Sequence, residues 1–305
     1  MKQPVKIPCL AQLALASTIL LSACHPSKKT REDSSPLTPV QIGTRTTQFG
    51  LEFLEQAHEP GSNMVLSPLS IYSAMVMVYG GAAGATEKEF SEVMHFSSNT
   101  PSFHLSAGEM AKKVQATKDS TMHISVANGL WLQDDFKVKG EYTELLRDAY
   151  EATPEKVNCK QEVTRNEARD KINRWTSENT KQRIQEIIPP GTLKPYTRLV
   201  LTNAIYFRGK WFKTFNKDRS GDETFYLEDG STSVVRFMKG DITARYAESH
   251  GMQFLGLPYA ESRYLFWVAL PGKNQDTREA IRQLRSGALE KGMDDAETLT
   301  VQVEM

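Results

Sequence analysis

The chain has 305 residues, and its 37 Lys and Arg are balanced by 37 Asp and Glu, with 39 % hydrophobic residues. That length and apolar content can bury a large core in one or two domains. The zero net charge excludes the basic footprint of a nucleic-acid binder and the acidic tract of a solvating tail.

Lys2 and Lys6 precede a mostly apolar segment over residues 10–21, followed by Leu21-Ser22-Ala23-Cys24. This order predicts a bacterial lipoprotein signal peptide over residues 1–23, with Cys24 as the lipid attachment site and mature N-terminus. The apolar segment is too short to span a membrane comfortably. The competing reading is an ordinary secretory signal with an incidental cysteine. His25 rather than Asp follows Cys24, which favours the outer membrane if the organism has one. The protein is therefore expected to be exported and membrane-anchored, facing the periplasm or the extracellular space. Cys9 leaves with the signal and Cys24 is taken by lipid, so Cys159 is the remaining thiol; no disulfide can form within the chain. Nothing beside Cys159 argues for a lowered pKa, and it reads as inert.

Residues 24–45 are rich in Pro, Ser, Thr and mixed charge, the composition of a flexible tether, and folding is expected to start near Thr46. Phe49, Phe53, Leu54 and Ala57 then recur at helical spacing up to Pro60-Gly61. Residues 64–66 read as a short strand. Ser67 suits a helix N-cap and Pro68 a first helical position. The helix that follows is apolar all round and so buried. Gly80, Gly81 and Gly84 end it without forming a phosphate loop. A helix is expected over about residues 107–116. Residues 121–132 alternate as a strand, with Ile124, Val126, Asn128, Leu130 and Leu132 on one side. Residues 142–150 follow as a helix, and residues 152–157, with Pro154, as an edge strand. Thr164 and Glu167 are spaced as a capping box for a helix carrying Ala168, Ile172 and Trp175 on one stripe.

Residues 199–207 form an apolar run interrupted by Thr202 and Asn203, which reads as a strand in the middle of a sheet. A buried Asn203 there needs polar partners. Further strands are expected over residues 223–227, 234–238, 252–259 and 264–270, then a helix with Ala280, Ile281, Leu284 and Leu289, and a last strand over residues 299–305. Of the histidines, His25 is in the tether, His58 ends a helix, His95 and His104 lie in a polar stretch, and His123 and His250 are lone. Each reads as a surface or satisfied histidine, and no metal or cofactor is expected. The acid pairs Asp134-Asp135 and Asp294-Asp295 sit in turn or polar settings where solvated charge is the default.

The segments NMVLSPLSIYSAMVMVYGGAAGAT, ISVANGLWLQ, LVLTNAIYFRGKWFKTF and LGLPYAESRYLFWVALPG, in this order, resemble the serpin family of serine protease inhibitors. The resemblance covers residues 46–305. It implies an α+β fold with a large central β-sheet, helices behind it, further smaller sheets and an exposed reactive loop near the C-terminus. It also implies that Ser67 and Ser70 are the family's shutter serines and Asn203 its shutter asparagine, placed where the strands of the central sheet part. Trp211 matches the tryptophan of the breach at the top of that opening.

In this family a protease attacks the reactive loop, forms an acyl-enzyme, and the cut loop inserts into the sheet as an extra strand, deforming the protease. The resemblance thus implies an inhibitor of serine, or cysteine, proteases that acts as a suicide substrate, and not an enzyme. A Gly-x-Ser-x-Gly elbow is absent from the sequence, in keeping with that reading. The elements that follow residues 299–305 in the family, including the reactive loop, have no counterpart in these residues, so the chain as it stands is expected to be inactive. The open edge left on residues 199–207 is an expected aggregation hazard. Two other readings stay open: a non-inhibitory surface lipoprotein that uses a serpin-like scaffold to bind a partner, and an enzyme whose site carries no motif.

Overall fold

The computed structural model describes residues 14–15, 37–96, 99–115, 121–227, 229–260, 263–272 and 275–305. The expected signal peptide, Cys24 and most of the expected tether lie outside these residues. The described residues form two compact units, residues 14–15 and 50–67 with 209–305, and residues 37–49 with 68–208. No described helix is long and apolar enough to cross a membrane.

The second of these units is a small sheet with helices. Helix α1 (Pro39–Ala57) starts inside the stretch expected to be tether, and its residues up to Phe49 belong here. Regular structure thus begins ahead of Thr46. Leu37 and Ile42 are buried, so the Pro, Ser and Thr that suggested disorder conceal two apolar anchors, while Thr46 and Thr47 return their hydroxyls to the Ile42 and Gly43 carbonyls. Helix α2 (Pro68–Tyr79) begins at the proline and buries Tyr72, Val76, Met77 and Tyr79, as its all-round apolar sequence predicts. Residues 64–66 join no ladder. Helix α3 (Gly84–Val93) buries no residue, which is why no apolar stripe announced it.

Helix α4 (Pro101–Gln115) is longer than expected and crosses α5 (Gly140–Tyr150) closely. A Cβ on Gly108 would stand 1.8 Å from the Ala149 carbonyl oxygen, so only glycine permits this approach. These helices and α2 share one core, with Phe49, Phe96, Phe103, Leu130, Leu132 and Leu146 among its members.

Strand β2 (Met122–Gln133) is the centre of a three-stranded sheet ordered β3-β2-β4, with β3 (Pro154–Val157) and β4 (Leu199–Gly209) on its flanks. The edge position of β3 agrees with its Pro154, and it pairs in parallel with Leu130–Gln133 only. Strand β4 has β2 as its one neighbour among the described residues, so its apolar run carries the open edge expected for it, and only Thr202 and Ala204 of its residues are buried. Gln133 donates to the Arg198 carbonyl and Asn203 to Asn128, so the partners run in opposite directions and β2 and β4 are antiparallel.

Helix α6 (Glu162–Asn179) has its cap at Gln161, earlier than the expected box; Thr164 donates back to the Gln161 carbonyl instead of capping. Its Ala168 and Ile172 pack with Trp131, Val157 and Cys159 in a second core. Asn173 then holds the returning chain, accepting from the Ile187 and Ile188 amides and donating to the Ile188 carbonyl.

The other unit holds a sheet ordered β1-β8-β7-β6-β5, with β9 also on β6, where β1 is the two-residue Ala14–Leu15 paired to β8. The remaining members are β5 (Asn216–Tyr226), β6 (Thr232–Ser249), β7 (Met252–Pro258), β8 (Leu265–Pro271) and β9 (Glu297–Glu304). Helices α7 (Thr277–Gln283) and α8 (Leu289–Asp295) flank a π-helical turn, and Leu284, Leu289 and Met293 pack on Phe254 and Trp267. The C-terminal half of α1 joins them. Glu55, only 9 % exposed, meets Arg282 at 3.0 Å and Arg285 at 3.1 Å, and Leu51 enters the same core.

Candidate functional site: an asparagine pair at the sheet edge

Residue alternation decides what β2 presents to β4. Asn128 falls on the same side as Ile124, Val126, Leu130 and Leu132, so an amide interrupts an otherwise apolar face. Asn203 meets it there: its Nδ2 donates to Asn128 Oδ1 at 2.8 Å. Among the described residues Asn203 Oδ1 is buried with no hydrogen-bond partner. An amide carbonyl stripped of water and left unpaired costs about 1–3 kcal/mol. The pair is thus half satisfied, and the open atom belongs to β4, whose one neighbour among the described residues is β2.

A glycine lets the strands meet at this point. A Cβ on Gly129 would lie 2.5 Å from Thr202 Oγ1, which accepts from Trp131 Nε1 at 3.0 Å. Trp131 in turn meets Trp175 of α6 edge-on at 5.9 Å.

Behind the pair a polar chain continues into the helices. Asn128 Nδ2 donates to the Tyr150 carbonyl at a long 3.5 Å, and the Tyr150 hydroxyl lies 2.5 Å from Nδ1 of His104. Nε2 of His104 lies 2.8 Å from Asn99 Oδ1, while Asn99 Nδ2 donates to the carbonyls of Tyr79 and Ala82. Those two carbonyls fix the Asn99 amide, so its oxygen faces His104, Nε2 carries the proton, and Nδ1 accepts from Tyr150. His104 is 1 % exposed, and burial holds its pKa down at about 4. It is a satisfied histidine, as the sequence suggested, though in a core and not in a polar stretch. Burial also raises the Tyr150 phenol well above its usual value.

Of the residues expected from sequence, Ser70 and Asn203 lie in this unit, and Ser67 and Trp211 in the other. Ser67 immediately precedes α2 and Ser70 is in its first turn. The partner recorded for Asn203 is Asn128, which sequence reasoning did not single out; an Asn on the apolar side of an alternating strand was the available signal. Trp211 stacks flat on Tyr259 at 4.8 Å and meets Phe266 and Phe215 edge-on. Backbone bonds from Phe212 to Pro258 and from Ala260 to Lys210 pin the segment around it. Cys159 is buried and its thiol pKa is raised by that burial, which suits packing and not reactivity. Among the described residues no His, Cys, Asp and Glu cluster to hold a metal.

Comparison with known proteins places this geometry. Residues 44–305 match the profile of the family Serpin (serine protease inhibitor). The chain belongs to the serpin family. It is 32 % identical over 216 residues to an uncharacterized serpin-like protein of Methanosarcina acetivorans, covering 71 % of this chain and 50 % of that one. It is 28 % identical over 230 residues to a serine protease inhibitor of Cyanea capillata, covering 74 % and 60 %. The chain therefore spans only about half the length of the former relative. Among solved structures it superposes on Arabidopsis AtSerpin1 in its native stressed conformation with a TM-score of 0.78, at 23 % identity, over 88 % of this chain and 71 % of that one. Ovalbumin from emu gives a TM-score of 0.77 at 25 % identity, over 87 % and 72 %. The serpin α+β fold expected from the motifs is thus the fold found.

Removing one amide of the pair leaves the other buried and alone. Asn128→Ala is expected to lower stability by about 1–3 kcal/mol, and Asn128→Ala with Asn203→Ala to lose less than the sum of the single changes. Urea melts of the four proteins check this; additive losses would sink the pairing.

The His104 relay sets a pH window. The unfolded histidine titrates near 6.5 and the folded one near 4, so the unfolded state binds more protons between these values. Stability is then full above about pH 6.5 and falls as pH drops towards 4, by at most about 3 kcal/mol. Urea midpoints across this range should show the slope, and His104→Gln should flatten it; an unchanged slope in that variant would assign it elsewhere.

Proposed function

We propose that this chain is the sheet-bearing part of a serpin-type protease inhibitor, and that β4 is the strand beside which a cut reactive loop inserts. The observation that carries this reading is that, among the described residues, β4 has no neighbour on its side away from β2 and Asn203 Oδ1 on it has no partner. An added strand would satisfy the backbone groups of that edge, and one bearing a donor opposite Asn203 would satisfy the amide as well. Ser67, Ser70 and Asn203 are assigned to the shutter, where polar groups exchange partners as strands part, and Trp211 to the breach. None of them is catalytic: the nucleophile is the attacking protease's own.

In this reading the partner is a serine or cysteine protease, held as an acyl-enzyme with the cut loop. The reactive loop is not assigned to any of the 305 residues, so these residues alone are proposed to lack inhibitory activity. The protein purified from its own cells, incubated with trypsin, chymotrypsin, subtilisin or papain, should give an adduct that survives denaturing electrophoresis with at least one of them. The 305-residue chain should give none. Simple cleavage of the cell-derived protein by all four, without an adduct, would overturn inhibition and leave a binding scaffold.

Attachment to a membrane through lipid on Cys24 is the second part of the proposal, supported by the Leu-Ser-Ala-Cys sequence after the apolar segment. The Cys24→Ser change should move the protein from the membrane fraction to the soluble one and abolish labelling with a radioactive fatty acid. Retention of both would refute the anchor.

A further inference from the structure

Two requirements of packing fall on neighbouring residues of β2. The amide pair needs an asparagine at 128, whose Oδ1 accepts from Asn203 Nδ2 at 2.8 Å. The close approach of β4 needs a glycine at 129, where a Cβ would lie 2.5 Å from Thr202 Oγ1. Together they place Asn directly before Gly, and the sequence holds no other such dipeptide. An asparagine followed by glycine is the most open to attack on its side-chain amide by the next backbone nitrogen, because glycine has no Cβ to obstruct the approach or to restrict the backbone.

Both reacting groups are held by β4. Gln133 donates its backbone N–H to the Arg198 carbonyl at 2.9 Å, and in an antiparallel pair every second residue turns its N–H to the same side. Gly129 lies four residues before Gln133, so its N–H also points to β4, opposite Thr202. The Asn128 side chain is held by Asn203 of the same strand, while its contact with the Tyr150 carbonyl is a weak 3.5 Å. Strand β3 pairs with Leu130–Gln133 and stops, so it does not brace residues 128 and 129. Ring closure requires Asn128 to leave the extended conformation that pairing with β4 maintains.

We propose that Asn128 is a self-modification site that reacts when β4 leaves β2. The Gly129 backbone nitrogen gives up its proton, bonds to Cγ of Asn128 and expels the side-chain nitrogen as ammonia, which leaves a cyclic imide. Water then opens the ring at either carbonyl, and the residue becomes aspartate or isoaspartate with no oxidant or reductant involved. Either product hinders the return of β4. Aspartate brings a charge to a half-buried position and lacks the N–H that Asn128 turns to the Tyr150 carbonyl. Isoaspartate lengthens the main chain by one carbon and disturbs the alternation of faces beyond it. The change is thus a permanent record that the strand was released. Any cause of release suffices, so this site does not depend on the inhibitor reading.

The 305-residue chain, incubated at neutral pH below its melting temperature and then digested, is followed by mass spectrometry of the peptide that carries Asn128. Loss of the amide should be slow while β4 is in place, and about tenfold faster in Asn203→Ala, the scale of one buried hydrogen bond. Asn128→Gln should abolish the signal, because its longer side chain closes a less favourable ring. Leu284→Ala removes a fully buried side chain of the other unit and separates release of β4 from general unfolding. Its rate at Asn128 should stay near that of the unaltered chain. Loss in the unaltered chain as fast as in a free peptide of residues 122–133, no acceleration in Asn203→Ala, or equal acceleration in Leu284→Ala would each overturn the proposal.

Discussion

A buried side-chain amide must find partners inside the protein, and the Asn203–Asn128 contact is the point at which one unit of this chain meets that demand. It ties β4 to β2 beside the backbone ladder. Gly129 lets Thr202 come close enough to accept from Trp131, and Trp131 carries the contact on to α6. In the other direction Asn128 reaches Tyr150, and through His104 and Asn99 the same sequence of polar groups ends on the last turn of α2. Strand spacing and helix positions are consequently not set independently within this unit.

That network is unevenly satisfied. At the helix end His104, Tyr150 and Asn99 each have their donors or acceptors, and the first two are buried, which rigidifies the packing of α2, α4 and α5. At the sheet end one oxygen is unpaired and one bond is stretched to 3.5 Å. The polar deficit thus lies on a strand whose one described neighbour is β2, and not among the helices behind it.

Much of this was legible because periodicity is local. The alternation of β2, the all-round apolar α2 and the Pro154 edge strand all follow from spacing alone, and four motifs in order carried the family. What failed depended on distant or missing neighbours. The apolar run of β4 was legible as a strand, but composition reports what a strand tolerates and did not name β2 as its neighbour. Helix α3 buries nothing, so it left no stripe to read, and Leu37 and Ile42 were lost among polar residues. In the candidate site, Asn203 was legible as a buried amide, whereas Asn128 and His104 become its neighbours only through a fold that brings together residues 75 and 99 positions away from Asn203 (203 − 128 and 203 − 104).

The division of the chain into interleaved units bears on the order in which the protein can be made. Residues 68–208 are continuous and contain β2, β3 and β4, so most of that unit can collapse as soon as it has left the ribosome. The C-terminal half of α1 is synthesised earlier still, yet Glu55 and Leu51 await Arg282, Arg285 and Leu284, more than two hundred residues later. Strand β6 likewise cannot complete its pairing along residues 239–246 until β9 emerges. Long-range closures of this kind are slow, and apolar surface waits uncovered in the meantime. In that interval the C-terminal half of α1 stays open to any other chain it meets.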